Sequence, residues 1–171
     1  MTLPAEIGEL VAPAGCHVVS TGSLDPDARV AIVASRYHAA IVQRMLDGAV
    51  AEIEGRGIVP DRITVAICPG AFELGLAAKR FAEARRYAAV IALGCVIRGG
   101  TPHFEYVCAE TARSLTMTQH ETGVPIAFGL LTCDTLQQAE DRAGGPIGNK
   151  GQEAAAAALD LAGMLRHLRT A

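Results

Sequence analysis

Charge is scarce in this chain. Only 19% of its 171 residues are Asp, Glu, Lys or Arg, and the formal net charge is −3. No run or face concentrates the basic residues. A nucleic-acid partner, which needs a positive stripe to displace phosphate counterions, is therefore not expected. The five cysteines (Cys16, Cys68, Cys95, Cys108 and Cys133) are odd in number and scattered, with no CxxC pair. They read as free thiols in a reducing compartment, not as a disulfide framework or a thiolate zinc site. The opening MTLPAEIGEL lacks the cationic and long apolar segments of a secretory signal. Later apolar runs are too short, or too interrupted by Gly and charge, to span a bilayer. The expected setting is the cytoplasm, with no membrane partner. No GxGxxG follows the first apolar run, and the chain has no GxxxxGK[ST] loop and no HExxH or carboxylate–histidine cluster. A Rossmann-type dinucleotide site, a P-loop and a metal centre are thus unsupported.

What is plentiful is apolar surface: half the residues are hydrophobic and the mean hydropathy is +0.28. In 17.8 kDa this suits one domain with a sizeable core. Strands buried on both faces account for part of the excess, and a large subunit interface would account for the rest.

Residues 1–28 carry Pro4, Gly8, Pro13, Gly15, Gly22 and Pro26. They read as an arm with at most a short strand at 16–20: either an assembly arm, whose extra strand a neighbouring subunit could share, or a simply disordered one. Residues 29–171 read as the folded domain. RVAIVA at 29–34 is a first strand, followed by the turn Ser35, Arg36, Tyr37, His38. Ile41, Val42, Met45, Leu46, Ala49, Val50 and Ile53 keep helical spacing over 39–54, and Gly55 and Gly57 stop that helix. ITVAI at 63–67 is a second strand, and a helix is expected over 71–85. YAAVIAL at 87–93 is a third strand, followed by a turn beginning at Gly94 and a helix over 103–120. IAFGLL at 126–131 is the fourth. Asp134 or Thr135 could cap a short helix over 136–143; a glycine-rich, hinge-like break at 144–149 precedes a last helix over 150–167. Four strands alternating with helices predict a four-stranded parallel sheet with right-handed crossovers and helices on both faces, a three-layer α/β/α sandwich.

Such sheets carry their chemistry outside the carboxyl ends of the strands. After the third strand lie Arg98, Gly99, Gly100, Thr101 and His103. Glycines and the amides of a helix start can cradle a phosphate, and an imidazole can move protons near neutral pH; a polar loop with a surface histidine is the plainer alternative. Tyr37 could stack on a flat ring or be a loop aromatic. Glu73 could accept hydrogen bonds from ligand hydroxyls or be a first-turn charge on the helix dipole. Arg142 and Lys150 flank the glycine-rich break, where either could reach a phosphate or stay solvated. Cys68 and Cys95 fall at strand ends, where small buried hydrophobes are the ordinary reading and a cysteine hydrolase using Cys95 and His103 the alternative.

The motifs ASRYH, CPGAFELGLAAK, ALGCVIRGGTPHFEYV, GVPIAFGLLT, DRAGG and GNKG carry a resemblance beyond spacing. Over residues 29–167 the chain resembles the 6,7-dimethyl-8-ribityllumazine synthase family of riboflavin biosynthesis. That resemblance implies a flavodoxin-like sandwich. It also implies condensation of 5-amino-6-(D-ribitylamino)uracil with 3,4-dihydroxy-2-butanone 4-phosphate, with no metal or organic cofactor. It makes His103 the proton-shuttling catalytic residue. Gly100, Thr101, Arg142 and Lys150 become the phosphate site. Tyr37 stacks on the pyrimidine, Ala71, Phe72 and Glu73 hold the ribityl chain and ring edge, and Val96 and Ile97 offer backbone contacts. Phe128 comes from a neighbouring subunit. The implied assembly is a homopentamer with sites at subunit interfaces, a 60-subunit shell of twelve pentamers being permitted, and association with riboflavin synthase is a further implied partnership. Two positions depart from the family pattern: Tyr37 stands where Phe or Trp is usual, and GGPIGNK replaces GTKAGNK at equal length. A flavin or lumazine carrier and a purely structural shell protein are the remaining alternatives.

Overall fold

Short runs of β-branched and small apolar residues make the sheet. β1 (Val30–Ser35) is buried at every position, and β3 (Ala89–Ile97) is buried through Cys95. Burial on both faces marks the central strands of a parallel sheet. β2 (Ile63–Cys68) and β4 (Ile126–Cys133) mix exposed with buried residues, as edge strands do. All four are parallel, in the order β2-β1-β3-β4. The computed structural model describes residues 11–16, 19, 24, 25 and 27–170, so most of the expected arm and its strand at 16–20 lie outside the described residues.

Helices α1 (Ala39–Gly55) and α5 (Lys150–Thr170) cover one face, and α2 (Leu74–Glu83) and α3 (His103–Thr122) the other. The first core joins Ile32, Ile91 and Leu93 to Met45 and Ile53 of α1 and Leu159 of α5. The second joins Val33, Val90 and Ala92 to Leu74 and Ala78 of α2 and Leu115 of α3. This is the flavodoxin-like α/β/α sandwich. Aromatic rings take little part in it. Tyr87 is buried in the second core with Phe81 packed edge-on against it at 5.1 Å, while Tyr37, Phe72, Tyr106 and Phe128 are exposed. Among the described residues, no helix is long and apolar enough to cross a membrane.

Helices α1 and α5 approach closely because the residues between them are small. A Cβ placed on Gly151 would run into the backbone of Met45, and the alanines of α5 continue that flat face. Asn149 locks the approach: its amide donates to the Arg44 carbonyl at 2.8 Å, while its side-chain oxygen accepts from the Gly151 and Gln152 amides and so caps α5. The Asn and second Gly of GNKG are thus structural.

Several boundaries differ from the expectation. β3 continues to Ile97, because Cys95, Val96 and Ile97 find register partners in Leu131, Thr132 and Cys133 of β4. The turn therefore shrinks to residues 98–102, and Cys95 lies within a strand. α2 begins at Leu74, leaving 69–73 as a turn. α4 (Leu136–Asp141), capped by Thr135 accepting from the Gln138 amide, stops before Ala143. The expected break at 144–149 contains a small antiparallel pair, β5 (Ala143–Gly145) with β6 (Gly148–Asn149), allowed by positive φ at Gly144 and Gly148. α5 runs to Thr170, beyond the expected end at His167.

Candidate active site

From β1 the chain goes outward to β2, then crosses back to β3 on the other side of β1. The loops after β1 and β3 consequently diverge, and a crevice opens at the carboxyl ends of the strands. A cleft of about 990 Å³ occupies that place. Its walls are the turn after β1 (Arg36, Tyr37, His38), the turn after β2 (Pro69 to Glu73), the end of β3 (Cys95 to Ile97) and the first turns of α3 (His103, Tyr106, Val107).

Each wall has a local cause. The Arg36 amide donates to the Cys68 carbonyl at 3.1 Å, which holds the ends of β1 and β2 side by side. His38 then takes a left-handed conformation, φ 54 and ψ 47, at the N-cap of α1, where its side chain makes no capping bond. Tyr37 is left 70% exposed at the mouth. Gly70 runs close beneath it: an added Cβ would lie 3.0 Å from Glu73 Oε2 and 3.5 Å from Tyr37 Cε2. Ring, glycine backbone and carboxylate thus form one continuous wall. The buried Thr111 hydroxyl, between the carbonyls of Val107 at 2.7 Å and Ala71 at 3.1 Å, ties that turn to α3. His103, Tyr106 and Val107 are spaced i, i+3, i+4 and share one helix face. Tyr106 is not singled out by any sequence motif, although this spacing from His103 points to it, and the sequence alone puts His38 only in a turn.

The remaining candidates lie elsewhere. Phe128 and Lys150 border a separate hollow of about 310 Å³ between β4 and α5, with Glu153 beside them. Lys150 Nζ is 2.6 Å from Glu153 Oε2. Arg142 follows α4; its guanidinium donates to the Gln138 carbonyl at 2.9 Å, and its own carbonyl accepts from the Lys150 amide at 2.8 Å. Gly100 and Thr101 are exposed in the turn before α3 and line neither hollow. The structure thus brings Tyr37, Ala71, Phe72, Glu73, Val96, Ile97 and His103 together. It groups Phe128 with Lys150 and leaves Arg142 next to Lys150 in the backbone.

Arg98 is occupied. Its Nε donates to Asp134 at 2.7 Å, a second nitrogen pairs with Glu105, and the guanidinium lies 4.2 Å from the Phe104 ring centre. Asp134 and then Glu105 hold its pKa above the ordinary arginine value, and Arg98 in turn lowers that of Glu105. The cysteines are poor nucleophiles. Burial, then the neighbouring Cys133, pushes the Cys95 thiol up to about 12, and burial with the charge of Glu73 raises Cys68. A thiolate attacks and a thiol does not, so a cysteine hydrolase built on Cys95 is disfavoured. Among the described residues, no group of three His, Cys, Asp or Glu is placed to hold a metal ion.

Fold and cleft place the chain among the small-molecule-binding α/β proteins that use the switch point of a parallel sheet. The model of the 6,7-dimethyl-8-ribityllumazine synthase family matches residues 27–166, most of the chain. The chain belongs to that family, whose activity is the lumazine-forming condensation of riboflavin biosynthesis, a transferase reaction on small molecules.

Proposed function

We propose that the chain catalyses the penultimate step of riboflavin biosynthesis. In it, 5-amino-6-(D-ribitylamino)uracil and 3,4-dihydroxy-2-butanone 4-phosphate condense to 6,7-dimethyl-8-ribityllumazine, phosphate and water, without a metal or organic cofactor. The uracil ring stacks on Tyr37, with its edge along the backbone of Val96 and Ile97. Ala71, Phe72 and Glu73 hold the ribityl chain and ring edge. Binding amine and carbonyl side by side supplies much of the rate, because it turns a two-body encounter into a positioned one. His103 carries protons through imine formation, phosphate loss and ring closure, steps that require one group to donate and accept near neutral pH. Gly100, Thr101, Arg142 and Lys150 hold the phosphate, and their donors and charge bind more tightly as it leaves.

The observation that carries this reading is the division of the candidate residues. His103 and Glu73 line one cleft, while Phe128 and Lys150 line another, with Arg142 bonded to the Lys150 backbone. A site needing both sets is completed by a second copy. We therefore infer that Phe128, Arg142 and Lys150 serve the cleft of a neighbouring subunit in a homopentamer. Twelve such pentamers could form a 60-subunit shell, and riboflavin synthase, which uses the product, is the proposed associate. Exposed apolar side chains on the edge strand β2, Val65 and Ile67, are consistent with surface covered on assembly.

The test mixes the two substrates with the protein and follows lumazine fluorescence together with released phosphate. Both should rise in step, one phosphate per lumazine. A carrier would bind lumazine or flavin without making it and would be indifferent to His103→Ala. Failure to form either product with folded protein refutes the assignment. Sedimentation then separates pentamer from shell.

A further inference from the structure

Building on the assignment of His103 as the proton carrier, we propose that Arg98 is its positioning residue, a strut that holds the start of α3 in register with the carboxyl end of the sheet. The turn between β3 and α3 has little else to hold it. At Gly99 and Gly100 an added Cβ would meet nothing within 4 Å, so no neighbour packs there. Pro102, the N-cap of α3, has no side-chain capping bond. The backbone supplies the Arg98 amide to the Cys133 carbonyl at 2.9 Å and the Glu105 amide to the Pro102 carbonyl at 3.1 Å.

The Arg98 side chain supplies the rest. It joins Asp134, one residue past β4, to Glu105 in the first turn of α3, and it lies over Phe104. Glu105 and Phe104 are the two residues directly after His103. Pairing and stacking together therefore fix the first turn of α3 in translation and rotation, and the imidazole with it. A guanidinium suits this because it is planar and forked: it can meet two carboxylates in its plane and a ring on its face, as an ammonium cannot. The two carboxylates also outweigh its single charge, so the group is a poor phosphate ligand although the sequence places a cation beside the glycines. Each pair is exposed and contributes little to global stability, so the strut governs orientation more than folding.

Kinetics of Arg98→Met, Arg98→Lys, Glu105→Gln and Asp134→Asn, with hydrogen exchange at amides 105–108, the first hydrogen-bonded amides of α3, test this. Arg98→Met should lower kcat about 10- to 100-fold, the scale of a displacement on the order of 1 Å, with KM for both substrates within about twofold. Arg98→Lys should recover only part of the loss. Adding Glu105→Gln to Arg98→Met should cost little more, because the two share one interaction. A rise in KM for the phosphorylated substrate at unchanged kcat would make Arg98 a phosphate ligand and overturn the proposal, as would full activity in both carboxamide variants. If the wild-type protein makes no lumazine, the functional assignment fails on its own. The strut then stands or falls on exchange: faster exchange at amides 105–108 in Arg98→Met supports it, and unchanged protection there rejects it.

Discussion

The cleft around His103 and the hollow around Phe128 and Lys150 differ in what they lack. The cleft has three exposed aromatic rings (Tyr37, Phe72 and Tyr106) together with two imidazoles and the Glu73 carboxylate. It can stack a flat ring, bind hydroxyls and move protons, but the lysine and arginine proposed for phosphate lie elsewhere. The hollow has one exposed ring and an ammonium, and no imidazole lines it. One is built on the switch point at the centre of the sheet, the other along its edge strand β4. A central site can be shaped by several loops of one chain, whereas an edge strand has an unpaired side and invites a second copy. On the proposed function, each chain carries two halves of different sites, and several predictions can break or sharpen that comparison.

The largest effect should come from mixing. His103→Ala alone should lose about 10²- to 10⁴-fold in rate, and Arg142→Ala should chiefly impair use of the phosphorylated substrate. Unfolded together and reassembled in equal amounts, they should regain roughly a quarter of wild-type activity, because random neighbours in a closed ring pair one intact half with the other at about that frequency. No recovery would mean that both hollows serve one chain.

Next in size is Gly151→Ala. The added methyl meets the Met45 backbone, which cannot yield as a side chain would, so α5 must shift. Urea denaturation should show a loss of about 1–3 kcal/mol. Phosphate affinity should fall with it, while uracil affinity in the cleft stays near normal. Equal loss of both would contradict the separation of the two regions.

Phe128→Ala removes a ring that is 48% exposed in the single chain. If a neighbour's substrate covers it, affinity for the uracil should drop by about 0.5–1.5 kcal/mol, readable by titration with product lumazine. An unchanged affinity would remove Phe128 from the site.

The smallest effect should come from the thiols. With Cys95 raised from 9.0 to about 12, the folded state keeps this proton more tightly than the unfolded chain does. Its contribution to stability is therefore complete below about pH 9 and is lost as pH rises toward 12. Iodoacetamide at neutral pH should leave turnover intact, and rapid inactivation matched by alkylation of Cys95 would revive the cysteine hydrolase.

Local pattern determined the elements. Runs such as VAIVA and AVIAL have the length and β-branched content of buried strands, and residues 39–54 repeat at helical spacing, so the alternating order and parallel sheet were legible. Motif density was enough to indicate the family. Where pattern and partner conflict, partners decide. Cys95 to Ile97 look like the start of a turn after Gly94, yet they remain in β3 because β4 offers them register partners. Residues 144–149 look like a hinge, yet they hold a strand pair and an asparagine that grips α1. Arg98 shows the limit most clearly. Its neighbours in sequence make it a cation beside a phosphate cradle, but Asp134, 36 residues on, claims its guanidinium. Periodicity and composition report what a residue prefers among its neighbours in the chain. Only the packed fold decides which charge lies within hydrogen-bonding distance of which, and so it alone separates His103 from Phe128 and Lys150.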